Sequence, residues 1–162
     1  MDSFADTLRA LNEMKGEGVV TEYAVAGAMA LIFWIEPVAT YDVDVLVFLP
    51  ASGPIVSLGS IYEWASRHRY ASRKEHIVVH GTPVQFVPAP NELADEAIER
   101  AATLEYEGVP VRVVRPEYLI ALYLEGSART LKRRERAAAL RESPQIDQEL
   151  LQDVVKRFNI AL

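Results

Sequence analysis

Two carboxylates stand close together in an otherwise apolar part of the chain. Asp42 and Asp44 lie within the stretch 23–49 and are separated by one valine. Side chains two residues apart on a strand point to the same face, so both acids are expected to project together from a buried strand. Because like charges repel and are costly to remove from water, the pair calls for a counter-cation, and Mg²⁺ is the natural candidate. The alternative is a solvated strand edge or loop.

A turn of small residues precedes the acidic pair. Gly27 and Ala28 lie about fifteen residues upstream of Asp42, after the segment 22–26 and before the helix-like run 29–35. A small-residue turn between a strand and a helix allows backbone N–H groups to approach a phosphate at the start of the helix. The order of the two features therefore predicts a phosphate-binding turn followed by a metal-binding strand.

This order resembles the nucleotidyltransferase superfamily, whose signature is a Gly-Ser or Gly-Gly turn followed by Asp-x-Asp. Gly27 and Ala28 match the turn. Asp42 and Asp44 match Asp-x-Asp, within a segment that begins at Thr40. The resemblance implies a nucleoside triphosphate as substrate and transfer of a nucleoside monophosphate with the help of Mg²⁺. It also implies Asp42 and Asp44 as catalytic metal ligands, and Gly27, Ala28 and Thr40 as nucleotide-binding residues.

The chain departs from the family pattern at a third acidic position. Such families usually carry a carboxylate on a neighbouring strand, and this chain has Gln85 between two apolar residues there. A Gln amide offers a carbonyl oxygen but neither charge nor basicity, so weaker or single-metal binding is expected. Glu75 is the alternative donor, although the surrounding stretch 72–76 resembles a solvated turn. Ala28 also replaces the usual Ser, and no Arg stands just before Thr40.

Three hypotheses follow from these features. The first is an active nucleotidyltransferase that uses Mg²⁺ and modifies a protein or an RNA. The second is the same fold with a decayed site, acting as a nucleotide-binding or regulatory module; Gln85 and Ala28 favour it, whereas the retained Asp42 and Asp44 favour the first. The third is a structural domain in which the acidic strand is incidental, and it predicts no effect of divalent ions on stability.

The C-terminal third extends the resemblance. The segment 111–122 resembles the strand-then-helix segment of AbiEii/MNT-type nucleotidyltransferases of toxin–antitoxin and abortive-infection systems. In those proteins a helical Lys contacts the nucleotide, and Lys132, followed by Arg129, is the closest match here. The resemblance implies a cognate toxin or antitoxin protein, or a tRNA acceptor, as partner. The basic run 129–136 that contains both residues also has the plainer interpretation of a solvated helix face.

The remaining pattern supplies the elements that must position these residues. It predicts an α/β (α+β) fold, with a nucleotidyltransferase-like mixed sheet of about four to six short strands, flanking helices and a C-terminal helical cluster. One domain, 1–162, is expected, with a core at about 20–115 and a helical part at 116–162. The predicted helices are 3–15, 28–35, 57–68, 91–102, 117–125, 129–142 and 148–158; the strands are 23–26, 41–49, 77–79, 84–87, 104–106 and 111–114.

Composition limits the classes of function. The net charge of −6 argues against a protein coated with basic patches for nucleic acid. The chain has no cysteine, which removes disulfides and thiolate sites. The apolar run 24–35 is too short to span a bilayer, and the N-terminus lacks the features of a secretory signal. A cytoplasmic protein without membrane association is therefore expected.

Overall fold

The computed structural model describes residues 2–35, 40–50, 57–126 and 130–162. Within these ranges the chain forms seven α-helices, one short 3₁₀ helix at Leu31–Phe33 and seven strands. The helices are α1 (Phe4–Gly16), α2 (Gly27–Ala30), α3 (Gly59–Arg67), α4 (Glu92–Glu99), α5 (Pro116–Leu124), α6 (Leu131–Arg141) and α7 (Gln148–Arg157). The strands are β1 (Glu22–Ala26), β2 (Val43–Phe48), β3 (Ala71–Arg73), β4 (His76–Val79), β5 (Thr82–Pro88), β6 (Ala102–Tyr106) and β7 (Val109–Val113).

The seven strands form one mixed sheet in the order β3-β4-β5-β2-β1-β7-β6. The acidic strand β2 lies at its centre, antiparallel to β1 and parallel to β5. β1 also pairs in parallel with β7. The three strands β3, β4 and β5 at one edge and the hairpin β6–β7 at the other edge are antiparallel. A central strand is paired with a neighbour on each side, so the positions of its residues are fixed by two strand pairings. This places Asp44 in the best-constrained part of the sheet.

One face of the sheet is an apolar layer under α1 and α3. Val45 of β2 lies in register with Phe86 of β5, and Trp64 of α3 packs edge-on against Phe86 with ring centroids 6.5 Å apart. The Tyr23 hydroxyl donates a hydrogen bond of 2.7 Å to Asn12 of α1, which ties that helix to β1. Burial of these side chains anchors the central strands from behind.

The opposite face carries Asp44 and lies beneath α4 and α5. Leu46 of β2, Ala94 of α4 and Leu119 of α5 all line the same cleft on this face. Because successive residues of a strand point to opposite faces, Asp44 and Leu46 share this side while the flanking valines pack behind the sheet. The alternation of β2 therefore directs one carboxylate into a cleft without exposing the core.

The architecture confirms the predicted fold class, and two local details differ. The sheet has seven strands where about four to six were expected, because β3 at Ala71–Arg73 consists entirely of exposed residues and lacks an apolar alternation. The predicted helix 28–35 is a single α-helical turn, Gly27–Ala30, followed by the 3₁₀ helix Leu31–Phe33. The division at residue 116 into a core and a helical part stays a prediction. No helix in the described ranges has the length and apolar character needed to cross a membrane.

An ion-pair network holds α7 against α4 and predicts how stability depends on pH. Arg157 donates two hydrogen bonds, of 2.8 and 2.6 Å, to the Glu96 carboxylate, and the Tyr118 hydroxyl donates a third. These contacts, with Arg157 first, lower the Glu96 pKa from 4.5 to about 2. A lowered folded pKa adds stability above the unfolded pKa, and that stability is lost as the pH falls from about 4.5 towards about 2.

We therefore expect Glu96→Gln to lower the free energy of unfolding at pH 7 by about 1–2 kcal/mol, a range reduced for solvent screening of a partly exposed pair. The difference from wild type should shrink as the pH falls to about 2. Urea denaturation at several pH values measures this. Glu99→Gln, at an exposed position of the same helix, is the matched control. If the loss of stability in Glu96→Gln did not depend on pH, the charge of Glu96 would not be its cause.

Candidate functional site

A cleft of about 620 Å³ opens on the face of the sheet that carries Asp44. The start of α2, the beginning of β2, the middle of β5, the β3–β4 turn and the helices α4, α5 and α6 form its walls. Six of the eight residues predicted from the sequence line this cleft: Gly27, Ala28, Thr40, Asp42, Asp44 and Gln85. Its other polar lining residues are Glu75, His76, Tyr123, Glu125, Arg133 and Arg136.

The two carboxylates have different environments. β2 begins at Val43, so Asp42 lies just before the strand and its side chain is 54% exposed. Its backbone carbonyl accepts a hydrogen bond of 3.3 Å from the Thr40 hydroxyl. Asp44 lies inside the strand, and burial, then the negative charge of Asp42, raise its pKa above the ordinary value of 3.8. A cation bound at the pair would oppose both effects and stabilise the charged form.

Gly27 allows the close approach of the Asp44 carboxylate. Its φ is +58°, a conformation that side chains disfavour, and it follows β1 as the first residue of α2. A Cβ at this position would lie 2.3 Å from Asp44 Oδ2. Ala26 stands opposite Asp44 in the antiparallel register, which places the turn directly beside the carboxylate. Glycine is therefore required here on two independent grounds, backbone conformation and space.

Gln85 occupies the neighbouring strand at the level of Asp44. The two residues are partners in the parallel register of β2 and β5, so their side chains share the cleft face. The described residues contain no cluster of three His, Cys, Asp or Glu side chains suited to a metal ion. The donor set at this position is thus two carboxylates and an amide oxygen. That set still fits Mg²⁺, which is commonly held by one or two carboxylates together with water and substrate phosphates.

The β3–β4 turn brings two further side chains to the cleft. His76 Nε2 lies 3.5 Å from Asp42 Oδ2, and its Nδ1 lies 3.8 Å from the Glu75 carboxylate. The sequence interpretation placed Glu75 and the surrounding stretch 72–76 in a solvated turn. The side chain of Glu75 is indeed largely exposed, yet both residues line the cleft, because the antiparallel pairing of β4 with β5 folds the turn back over Asp42.

The basic residues of α6 divide into two kinds. Arg133 and Arg136 line the cleft, whereas Lys132, the predicted nucleotide contact, is exposed and is not among the lining residues. Arg129, the second predicted contact, lies outside the described residues. Arg133 donates hydrogen bonds of 2.6 and 3.0 Å to the carbonyls of Leu122 and Tyr123 at the end of α5. The guanidinium of Arg133 therefore caps the C-terminal end of α5.

Arg133 should therefore contribute to stability. Replacing it with Gln removes two charge-assisted hydrogen bonds to carbonyls at a helix C-terminus, so we expect the free energy of unfolding to fall by about 1–3 kcal/mol. The matched control is Arg134→Gln, at the next, exposed position of α6, where the change should stay within about 0.5 kcal/mol. Urea denaturation measures both, and equal effects would refute the capping role.

The sequence gives no signal for Tyr123 and does not distinguish Arg136 within the basic run 129–136. Tyr123 belongs to the strongly apolar helix α5, in which all but one residue are buried, so it is expected to be a core residue. Arg136 is one of several basic residues in α6. Only the packing of α5 against α6 shows which positions of each helix face Asp44.

Comparison with solved structures relates this fold to nucleotidyltransferase-like proteins. An antigenic nucleotidyltransferase-like protein from Paracoccidioides brasiliensis is similar over 98% of this chain and 88% of its own, with a TM-score of 0.57 and 14% identity. The antibiotic-resistance factor ANT(2'')-Ia is similar over 98% of this chain and 93% of its own, with a TM-score of 0.53 and 15% identity. No protein-family profile and no curated protein matches the sequence. At these identities the likeness shows a shared nucleotidyltransferase-like fold.

Proposed function

We propose that this protein is a Mg²⁺-dependent nucleotidyltransferase that moves a nucleoside monophosphate from a nucleoside triphosphate to a hydroxyl group of a protein or an RNA. The observation that carries the proposal is the position of Asp44. Its carboxylate lies at the centre of the sheet, beside Asp42 and against the Gly27 turn, at the wall of a cleft of about 620 Å³. A cleft of this size is within the range of small-molecule sites.

The proposed transfer is a displacement at the α-phosphorus. The oxygen of the acceptor hydroxyl forms a bond to that phosphorus while the bond to the bridging oxygen of pyrophosphate breaks. The electron pair of the broken bond leaves with pyrophosphate, and the hydroxyl proton passes to water. Little covalent work falls to the protein, so its contribution is positioning and stabilisation of charge.

Each cleft residue has a part in this proposal. Asp42 and Asp44 would hold Mg²⁺, which when bound neutralises phosphate charge and orients the reacting groups. The backbone amides of Gly27 and Ala28 would bind a phosphate oxygen, since neither side chain blocks the approach. Gln85 would offer its carbonyl oxygen beside Asp44.

A second candidate function follows from Gln85. Its register with Asp44 puts an amide at a position adjacent to the acidic pair, so the acidic pair gains no third carboxylate from β5. The protein would then bind a Mg²⁺–nucleotide complex without turning it over and act as a regulatory or interaction module. The two candidates share the same binding site and differ only in transfer.

The acceptor and the biological setting are the finer part of the proposal. The AbiEii/MNT-like assignment rests on the segment 111–122, and with it a role in a toxin–antitoxin pair, with a cognate protein or a tRNA as acceptor. The exposed residues Lys132 and Arg134 on α6 support a polyanionic acceptor such as tRNA, because phosphate contacts usually come from exposed basic side chains.

Thermal unfolding with each of the four nucleoside triphosphates, with and without Mg²⁺, tests nucleotide binding. A ligand at about 100 times its Kd stabilises the folded state by about 2.7 kcal/mol, so binding raises the Tm measurably. Incubation with α-³²P-labelled and, separately, γ-³²P-labelled nucleotide then tests transfer to total tRNA and protein. A Mg²⁺-dependent Tm shift with transfer of the α-label alone supports the transferase. A shift without transfer supports the module, and the absence of any shift contradicts both.

A further inference from the structure

Most polar side chains of the cleft already have protein partners. Glu125 accepts a hydrogen bond of 3.1 Å from Asn91, and Arg133 is bound to carbonyls at the end of α5. In contrast, the Tyr123 hydroxyl has no hydrogen-bond partner among the described residues. The Arg136 guanidinium forms no hydrogen bond or ion pair with the described residues either. Both residues line the same cleft as the acidic pair.

The Tyr123 hydroxyl is a buried donor without an acceptor. The side chain is 6% exposed, and its hydroxyl oxygen is fully buried although the residue lines the cleft. Burial, opposed by the charge of Arg136 and reinforced by the charge of Asp44, raises the Tyr123 pKa to about 12. The phenol thus keeps its proton at neutral pH. A buried polar group left unpaired destabilises the fold, so such a group in a binding cleft calls for a function.

Arg136 faces Asp44 without forming an ion pair. Both residues line the cleft and no ion pair joins them, so the space between them is called the gap here; the positive charge of Arg136 only weakly opposes the rise of the Asp44 pKa. Tyr123 lines the same cleft as Asp44 and Arg136, so its unpaired hydroxyl belongs to the wall of this gap. A ligand in this gap meets a carboxylate on one side and, on the other, a neutral donor beside a permanent cation.

We propose that the Tyr123 hydroxyl and the Arg136 guanidinium together bind an oxygen of the triphosphate group of the nucleotide held in the cleft. This inference rests on the proposed function and names two residues that contact the substrate. A donor beside a guanidinium is complementary to an anionic oxygen, and hydrogen bonds to a charged acceptor are stronger than neutral ones. The cation at Asp42 and Asp44 lets the same anion lie against the acidic side of the gap.

The test is Tyr123→Phe, which removes one oxygen and keeps the ring. Without ligand, the variant should melt about 2–4 °C higher than wild type, because an unpaired buried hydroxyl has been removed. With Mg²⁺ and the nucleotide that gives the largest Tm shift, calorimetric titration should show a Kd about 5–10-fold higher, since one hydrogen bond to a charged oxygen is lost. Arg136→Gln should raise the Kd by about 10–100-fold.

Matched controls and a double mutant complete the design. Tyr62→Phe and Arg141→Gln make the same chemical changes at exposed positions and should leave the Kd within about twofold of wild type. In the double variant of Tyr123 and Arg136 the fold-increase in Kd should be smaller than the product of the two single fold-increases, because both groups bind one phosphate. Inorganic triphosphate lacks the base and the sugar. Its binding in the presence of Mg²⁺ should be weakened by the same factors as the binding of the nucleotide.

The outcomes separate this inference from the proposed function. Wild-type binding that survives unchanged in Tyr123→Phe and in Arg136→Gln overturns the inference and leaves the nucleotide site in place. A lower Tm of the ligand-free Tyr123→Phe variant overturns it too, since the hydroxyl would then have a structural partner. Absence of any Mg²⁺-dependent binding by the wild type overturns both the inference and the proposed function.

Discussion

Replacing Asp44 with Asn is expected to abolish Mg²⁺-dependent nucleotide binding, with a loss of more than about 100-fold in affinity. Asn has the shape of Asp and keeps one carbonyl oxygen, but it removes the charge that holds a divalent cation next to polyphosphate. That electrostatic contribution is worth several kcal/mol, about tenfold for each 1.4 kcal/mol. Isothermal titration with Mg²⁺ and nucleotide measures the loss.

The same substitution should raise the stability of the ligand-free protein at pH 7. Burial and the charge of Asp42 raise the Asp44 pKa above 3.8, so this group favours folding at low pH and loses that contribution as the pH rises through the folded pKa. Removing the charge should raise the Tm at pH 7 by up to about 2–4 °C, which corresponds to about 1 kcal/mol for a chain of this size. The gain should vanish below about pH 3.8.

Asp153→Asn is the control for a carboxylate removed from an exposed helix position. It should leave nucleotide binding unchanged. If Asp44→Asn binds Mg²⁺ and nucleotide as tightly as wild type, the acidic pair is not the metal site, and the proposed function fails. If binding is lost and the ligand-free Tm also drops, the loss reflects a damaged fold, and Asp42→Asn, at the exposed member of the pair, becomes the decisive variant.

Gly27→Ala should damage both the fold and the site. The alanine must adopt a φ of +58°, and its Cβ would lie 2.3 Å from Asp44 Oδ2, so the carboxylate has to move. The backbone strain costs about 1–2 kcal/mol, and the displaced side chain adds a cost of similar size, so we expect a loss of about 2–4 kcal/mol in the free energy of unfolding. Nucleotide binding should weaken by more than about tenfold, because Asp44 no longer points at the cleft.

The chain offers a clean control for the backbone part of this effect. Gly18 has a φ of +77° and nothing within 4 Å of an added Cβ, so Gly18→Ala carries strain without a collision. It should cost about 1 kcal/mol and leave binding unchanged. In an Asp44→Ala background the extra cost of Gly27→Ala should fall towards that of Gly18→Ala, because the colliding oxygen is gone. Equal costs in both backgrounds would show that Asp44 does not constrain position 27.

Local sequence patterns predicted the elements around the site well, because each depends on a few neighbouring residues. Ser3 caps α1 through a hydrogen bond from the Asp6 backbone N–H, and Pro116 begins α5 at a position that favours proline. The alternation around Asp44 predicted a strand with one polar face, and the glycine before a helix-like run predicted the turn at Gly27. The structure confirms the resulting α/β class with a mixed sheet and a C-terminal helical cluster.

The neighbours of the acidic pair depend on contacts between distant parts of the chain. His76 meets Asp42 because the β3–β4 turn folds back across the sheet, and β3 itself has no apolar signal. Tyr123 and Arg136 reach the cleft because α5 and α6 pack together over the face that carries Asp44. The sequence by itself determined which strand is acidic, where the glycine turn lies and what class of fold contains them, since periodicity and turn chemistry are local. Only the tertiary structure decided which cations and hydroxyls face the carboxylates, because that choice depends on helix packing and strand register far apart in sequence.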